Sequence, residues 1–201
     1  MKKLLLIVVL MSLVTLSACT YTGAVRTGIA PITTVAKTYR GNASLLIDPA
    51  INTAEITTGV GAHTVKVSAG NALNSAIVEA VRSAMPKATT EASPQSISMS
   101  GILIKARLQH ISANAPIDQG FWSSRTNITA QVSIVIEMLR PDGSLLYRQV
   151  VTGTGLESRS VGSVDKVREG VEVALERAIQ QVSDGTASVL VTGINQLNND
   201  R

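Results

Sequence analysis

The stretch TNITAQVSIVIEML, residues 126–139, decides the fold. Ile128, Ala130, Val132, Ile134, Ile136 and Met138 alternate with Thr129, Gln131, Ser133 and Glu137. Successive side chains of a strand point to opposite faces, so this period of two builds one apolar and one polar face. Pro141-Asp142-Gly143 then marks a tight turn, and Leu145 to Thr154, with Tyr147, returns as the hairpin partner.

On the C-terminal side the period changes. Over residues 163–183, Val164, Val167, Val171, Leu175, Ala178 and Val182 form one apolar stripe at helical spacing. Ser163 is the candidate N-cap and Gly185 the candidate stop. On the N-terminal side, residues 96–111 read as a long strand. Ile102, Ile104, Ala106 and Leu108 share one face, Lys105, Arg107 and Gln109 the other, and Gly101 is a candidate bulge. Residues 70–85 are helical, with Leu73, Ile77, Val81 and Ala84 on one face and Pro86 as the stop. Residues 44–47, ended by Asp48-Pro49, and 64–68 read as two short strands. Strands with one apolar face and helices with one apolar stripe pack most economically in two layers. The expected fold is α+β: a mostly antiparallel sheet with two helices packed on one face.

The N-terminus has another character. Lys2 and Lys3 precede an apolar run from Leu4 to Leu16, then Ser17, Ala18 and the only cysteine, Cys19. This is the layout of a secretory signal, and the run of about 13 residues falls short of the ~20 that span a bilayer. The order Leu16-Ser17-Ala18-Cys19 resembles the lipobox of bacterial lipoproteins. That resemblance implies cleavage before Cys19, thioether lipidation of its sulfur and acylation of the new amino terminus. Thr20 rather than Asp after the cysteine implies, by resemblance to enteric-type lipoproteins, the outer membrane, with the domain facing the periplasm. The expected organisation is a signal peptide over 1–18, a lipidated N-terminus and flexible tether over 19–42, an α+β domain over 43–190 and a polar tail over 191–201. With one cysteine there is no disulfide, so the mature chain depends on its core.

Composition narrows the partners. Without Lys2 and Lys3 the basic count falls from 18 to 16 against 14 acidic residues, a net +2. No basic run remains, and the aromatics are Tyr21, Tyr39, Phe121, Trp122 and Tyr147. Nucleic acid is not an expected partner, for want of a basic stripe or an aromatic platform. The expected partners are the membrane, through Cys19, and a protein of the envelope. The lipobox, the threonine-rich lead, VKVSAGNALNSAIVEAVRSAM (65–85) and REGVEVALERAIQQVSDGTASVL (168–190) together resemble the YajG-like envelope lipoproteins. The resemblance is one of element order over roughly residues 43–190. It implies the fold and no catalytic residues.

Chemistry-bearing patterns are sparse. His63 and His110 lie far apart in sequence, and His110 falls on the apolar side of its strand, so neither points to a metal. No GxSxG elbow or phosphate loop occurs, and Glu169, Glu172 and Glu176 sit on an outer helix face. No enzyme, metal or cofactor is expected. The one segment that stands out is Asp118 to Arg125, which holds the only Phe and the only Trp. Phe121, Trp122 and Arg125 form either a docking loop, since exposed Trp with Arg is hot-spot chemistry, or a cap folded back on the sheet. The sheet face without helices is a second candidate surface, mixing Lys105, Arg107, Gln131, Ser133 and Glu137 with Leu103, Val135 and Leu139. The expected role is a non-catalytic binding or assembly component of the envelope. The alternative is a carrier holding a lipid or glycolipid in an apolar groove between helices and sheet.

Overall fold

The computed structural model describes residues 19–32, 39–91, 101–116 and 125–199. Its elements, in order, are β1 (Thr20–Ala24), β2 (Ala43–Ile47), α1 (Pro49–Asn52), β3 (Glu55–Val60), β4 (His63–Ser68), α2 (Gly70–Ala84), β5 (Ala88–Glu91), β6 (Ile102–Asn114), β7 (Arg125–Leu139), β8 (Leu145–Ser160) and α3 (Val164–Asn199). The α+β class and its two main helices are as expected. The strands, however, divide between two sheets, ordered β1-β4-β3 and β5-β2-β6-β7-β8. The long pairings, β6 with β7 and β7 with β8, are antiparallel, while β2 lies parallel to both β5 and β6.

The alternating face of β7 anchors the core. Ile128, Val132, Ile134, Ile136 and Met138 are fully buried, and Ala130 nearly so. Leu45 on β2 and Ile104 and Ala106 on β6 extend the same face. Helix α3 lies along β7 and β8, and α2 packs against α3, β2 and β5. Small residues are buried on both helices, Ala72, Ala76 and Ala80 on α2 and Ser183, Thr186 and Ala187 on α3. The Ser183 hydroxyl donates to the Ala76 carbonyl at 3.3 Å.

Four differences from the sequence reading matter. The expected tether over 19–42 is, in its first residues, part of the fold: Thr20–Ala24 is β1, parallel to β4, and Val25 and Ile29 are buried. The expected polar tail over 191–201 is mostly helix, since α3 runs to Asn199 with Gly193 and Ile194 buried. Gly185 is not a stop; a Cβ there would meet the Val151 side chain on β8. Strand β8 continues past Thr154 to Ser160, because Gly153 and Gly155 face α3 rather than break the strand.

Smaller expectations resolve in the same way. Gly101 is not a bulge; it precedes β6 and lies against the Asn42 carbonyl. The irregularity falls between Leu108 and His110. Residues 55–60, with no clear alternation, form β3 as the antiparallel partner of β4. The β7–β8 turn is as expected, with Gly143 at φ 82° and the Asp142 carboxylate accepting from the Ser144 N–H at 2.8 Å.

Candidate functional site

Cys19 is exposed and sits directly at the start of β1. Its carbonyl accepts from the Thr64 N–H at 3.3 Å, and the Val25 N–H donates to the Ser68 carbonyl at 2.9 Å, so β1 is hydrogen-bonded at both ends. Gly23 lies so close to α3 that a Cβ would collide with the Glu172 carboxylate. That carboxylate pairs with Arg168, which also reaches Asp165 at 3.5 Å. Burial works against the Arg168 charge, but Glu172 and Asp165 outweigh it and hold the guanidinium above its ordinary pKa. Beside Cys19, Tyr21 and His63 meet edge to face with ring centroids 5.7 Å apart. The His63 Nδ1 is buried without a partner.

Phe121 and Trp122 lie outside the described residues. Arg125 is described: it opens β7, is exposed, and pairs with Ser160 at the end of β8. Nearby, the Thr126 hydroxyl donates to the Pro116 carbonyl at 2.5 Å, which ties the end of β6 to the start of β7.

The sheet face away from the helices carries the expected mixed set. Lys105, Glu137 and Arg148 stand in one cross-strand row. Glu137 accepts from Arg107 at 2.6 Å and lies 3.5 Å from Arg148, so one carboxylate serves two guanidinium groups. Ser133 and Thr152 share a hydrogen bond of 2.9 Å, and Val135 is buried between its neighbours. A cleft of about 320 Å³ opens beside this row, with Leu46, Ile47 and Pro49 on one wall and Lys105 and Arg107 on the other. Arg148 and the wall from β2 were missed in the sequence, because only the strand order brings them beside β6 and β7.

His110 departs from its expected place on the apolar side. The register slip after Leu108 turns it to the open face, where it is exposed and bonds the Ser112 hydroxyl at 2.9 Å. Neither histidine has a carboxylate partner among the described residues, and no group of three metal-ligating side chains gathers among them. No helix among the described residues is long and apolar enough to cross a membrane.

The seam between α3 and β8 bears on the carrier alternative. A Cβ on Gly155 would overlap the Ala174 carbonyl, and one on Gly153 the Ala178 carbonyl. Gly170 and Gly193 on α3 likewise press against Ile128 and Met138. Helix and strand therefore come within backbone contact where Gly153 and Gly155 face Ala178 and Ala174. One cleft of about 310 Å³ opens along the seam, near Gly185, and Gln149, Thr152, Ser188 and Thr192 supply much of its lining.

No family model matches the chain. No curated protein matches it either. Among solved structures it is similar to a minor lipoprotein from Acinetobacter baumannii, at 7% identity over 77% of this chain and 94% of that one, with a TM-score of 0.46. It is also similar to a Helicobacter pylori protein described as a homologue of the neuraminyllactose-binding hemagglutinin, at 10% identity over 87% and 96% of the two chains, TM-score 0.46. A Caulobacter crescentus lipoprotein is matched at 13% identity over 61% and 80%, TM-score 0.39. Likenesses this distant carry no argument about what the chain binds or does.

Proposed function

We propose that the chain is a lipid-anchored envelope lipoprotein that acts by binding, without catalysis, as a component of an envelope assembly. The observation that carries the anchoring is the meeting of two facts at one residue. The lipobox-like order Leu16-Ser17-Ala18-Cys19 ends at a cysteine that is exposed and directly precedes the paired strand β1. Two or more acyl chains hold a protein at a bilayer where one is marginal. The threonine after Cys19 favours the outer membrane, with the domain in the periplasm. Binding, rather than chemistry, is favoured by the isolated histidines and by the two candidate surfaces, the Phe121–Trp122–Arg125 segment and the open sheet face.

The lipid-carrier alternative asks for an apolar groove between helices and sheet. The backbone contacts of Gly153 and Gly155 with α3 close much of that seam, and its cleft is largely polar-lined, which counts against a carrier.

The test is a photoreactive residue at Trp122 in cells, with mass spectrometry of the captured species and of the Cys19 peptide. A diacylglyceryl-modified Cys19 and one envelope protein captured in stoichiometric yield support the proposal. An unmodified Cys19 thiol removes the anchor, and capture of lipid alone from lipidated protein would favour the carrier.

A further inference from the structure

The end of the three-stranded sheet that holds Cys19 is free of charge. Residues 19–25 of β1 and its continuation, and 56–65 of β3 and β4, contain no Lys, Arg, Asp or Glu. The first charges along these strands are Arg26 after β1 and Glu55 and Lys66, which pair at 3.5 Å. The tip is the β3–β4 turn, where Gly61 takes φ 60° and Gly61 and Ala62 are exposed. In the parallel register Thr20 lies opposite Thr64. Cys19 is therefore level with His63, and Ala62 stands one residue, about 3 Å, beyond it along the strand.

We infer that this charge-free tip, the Gly61–Ala62 turn with Tyr21 and His63 behind it, rests in the headgroup layer of the bilayer that holds Cys19. The inference rests on the lipid anchoring proposed above. The pairing of β1 leaves no leash between anchor and domain. With acyl chains on Cys19, the turn beyond it has nowhere to go but into the layer where those chains are attached. The headgroup region is about 5–8 Å deep on each side of a bilayer, so a turn about 3 Å beyond Cys19 falls within it. Small uncharged residues enter it without charge desolvation. The Tyr21 ring, apolar in body with a polar hydroxyl, suits the same depth.

Lipidated protein in phosphatidylethanolamine–phosphatidylglycerol vesicles tests this. Cys19 is the only cysteine, so its thioether leaves an introduced cysteine as the sole reactive thiol. A bimane probe at Ala62→Cys is compared with one at Leu145→Cys, the exposed first residue of β8, two residues from Tyr147, which meets α3 at Gly193. The quencher is a lipid with a nitroxide headgroup. We expect quenching at position 62 several-fold above that at 145, and loss of the difference when a ten-residue Gly/Ser spacer follows Cys19. Equal quenching at the two positions, or no effect of the spacer, in protein whose mass shows lipidated Cys19 overturns this inference and leaves the anchor standing. A mass showing free Cys19 overturns the anchor, and the inference with it.

Discussion

Replacing Gly155 with alanine adds one methyl group where the Ala174 carbonyl of α3 already stands. The obstacle is backbone, fixed on one side by the helix ladder and on the other by the pairing of Gly155 with Ala130. Neither side has a rotamer that could swing away. Overpacking of a core costs about 1–3 kcal/mol, and a backbone obstacle puts this substitution at about 2–3 kcal/mol. With a urea m-value of about 2 kcal/mol/M, the midpoint falls by about 1–1.5 M. The assay is urea unfolding of the chain without residues 1–18, followed by circular dichroism. Gly59→Ala is the matched control. It also sits in a strand, but no atom lies within 4 Å of its added Cβ. It is expected to gain about 0.4–1 kcal/mol by restricting the unfolded chain. The two substitutions thus have opposite signs for the same chemical change. If Gly155→Ala unfolds at or above the parent midpoint with an unchanged m-value, the seam is not closed at this spacing, and a carrier groove there is open again.

Ile194 is 3% exposed, in the segment expected as a polar tail. Ile194→Ala should cost about 2–4 kcal/mol in the same assay, whereas a dispensable tail would show no change. Strand β8 is the edge of the larger sheet, and its outward Thr154 N–H and Leu156 carbonyl are bonded by Gln181 and Arg177 from α3. The double substitution Gln181→Ala with Arg177→Ala should uncover that edge and give concentration-dependent association by analytical ultracentrifugation. The Ser144 hydroxyl and N–H hold the Asp142 carboxyl below its ordinary value of 3.8. A carboxyl lowered on folding stabilises the fold above its unfolded pKa and stops doing so as the pH falls through the lowered one. The stability difference between the parent and Asp142→Ala should therefore be present at neutral pH and close on acidification below 3.8, by urea unfolding across pH.

What the sequence makes legible is whatever repeats locally. The alternation from Ile128 to Met138 marks β7, and the stripe from Val164 to Val182 marks the first half of α3, because burial on one face leaves its period in the chain. Gly153, Gly155 and Gly185 mislead for one common reason. Glycine signals a turn or a cap when only neighbours in sequence are considered, yet here it lets two elements far apart in sequence approach. Strand β1 is hidden differently. Thr20-Tyr21-Thr22-Gly23-Ala24 is too short and mixed to show a period, and its partner lies more than 40 residues away in a parallel pairing. His110 shows the sensitivity of strand faces to register: one slip after Leu108 carries it from the apolar face to the open one. The open face was legible in residue types, but not in the Arg107–Glu137–Arg148 bridge, which needs the β6-β7-β8 order.

Direct mounting changes how the proposed binding component would reach its partner. A 23-residue flexible tether would give a root-mean-square reach of about 25–30 Å in any direction. With β1 paired, reach comes instead from the domain itself. Helix α3, at 36 residues, is about 54 Å long. Gly23 meets it near Arg168 and Glu172, while Met138 and Tyr147 meet it near Gly193, about 30 Å further along. The Lys105–Glu137–Arg148 row stands near that second level, because Glu137 adjoins Met138 and Arg148 adjoins Tyr147. On this arrangement the open sheet face is held at a set distance and direction from Cys19. Under the proposed lipid anchoring, a partner in the same membrane would meet that face at a fixed height rather than by diffusional search, which lowers the entropy lost on association. Arg125, at the opposite end of β7, lies at the level of the N-terminal turns of α3 and so nearer the anchor. With Cys19 lipidated as proposed, the two candidate surfaces would be separated by depth, the Arg125 end nearer the anchor and the Glu137 row further from it.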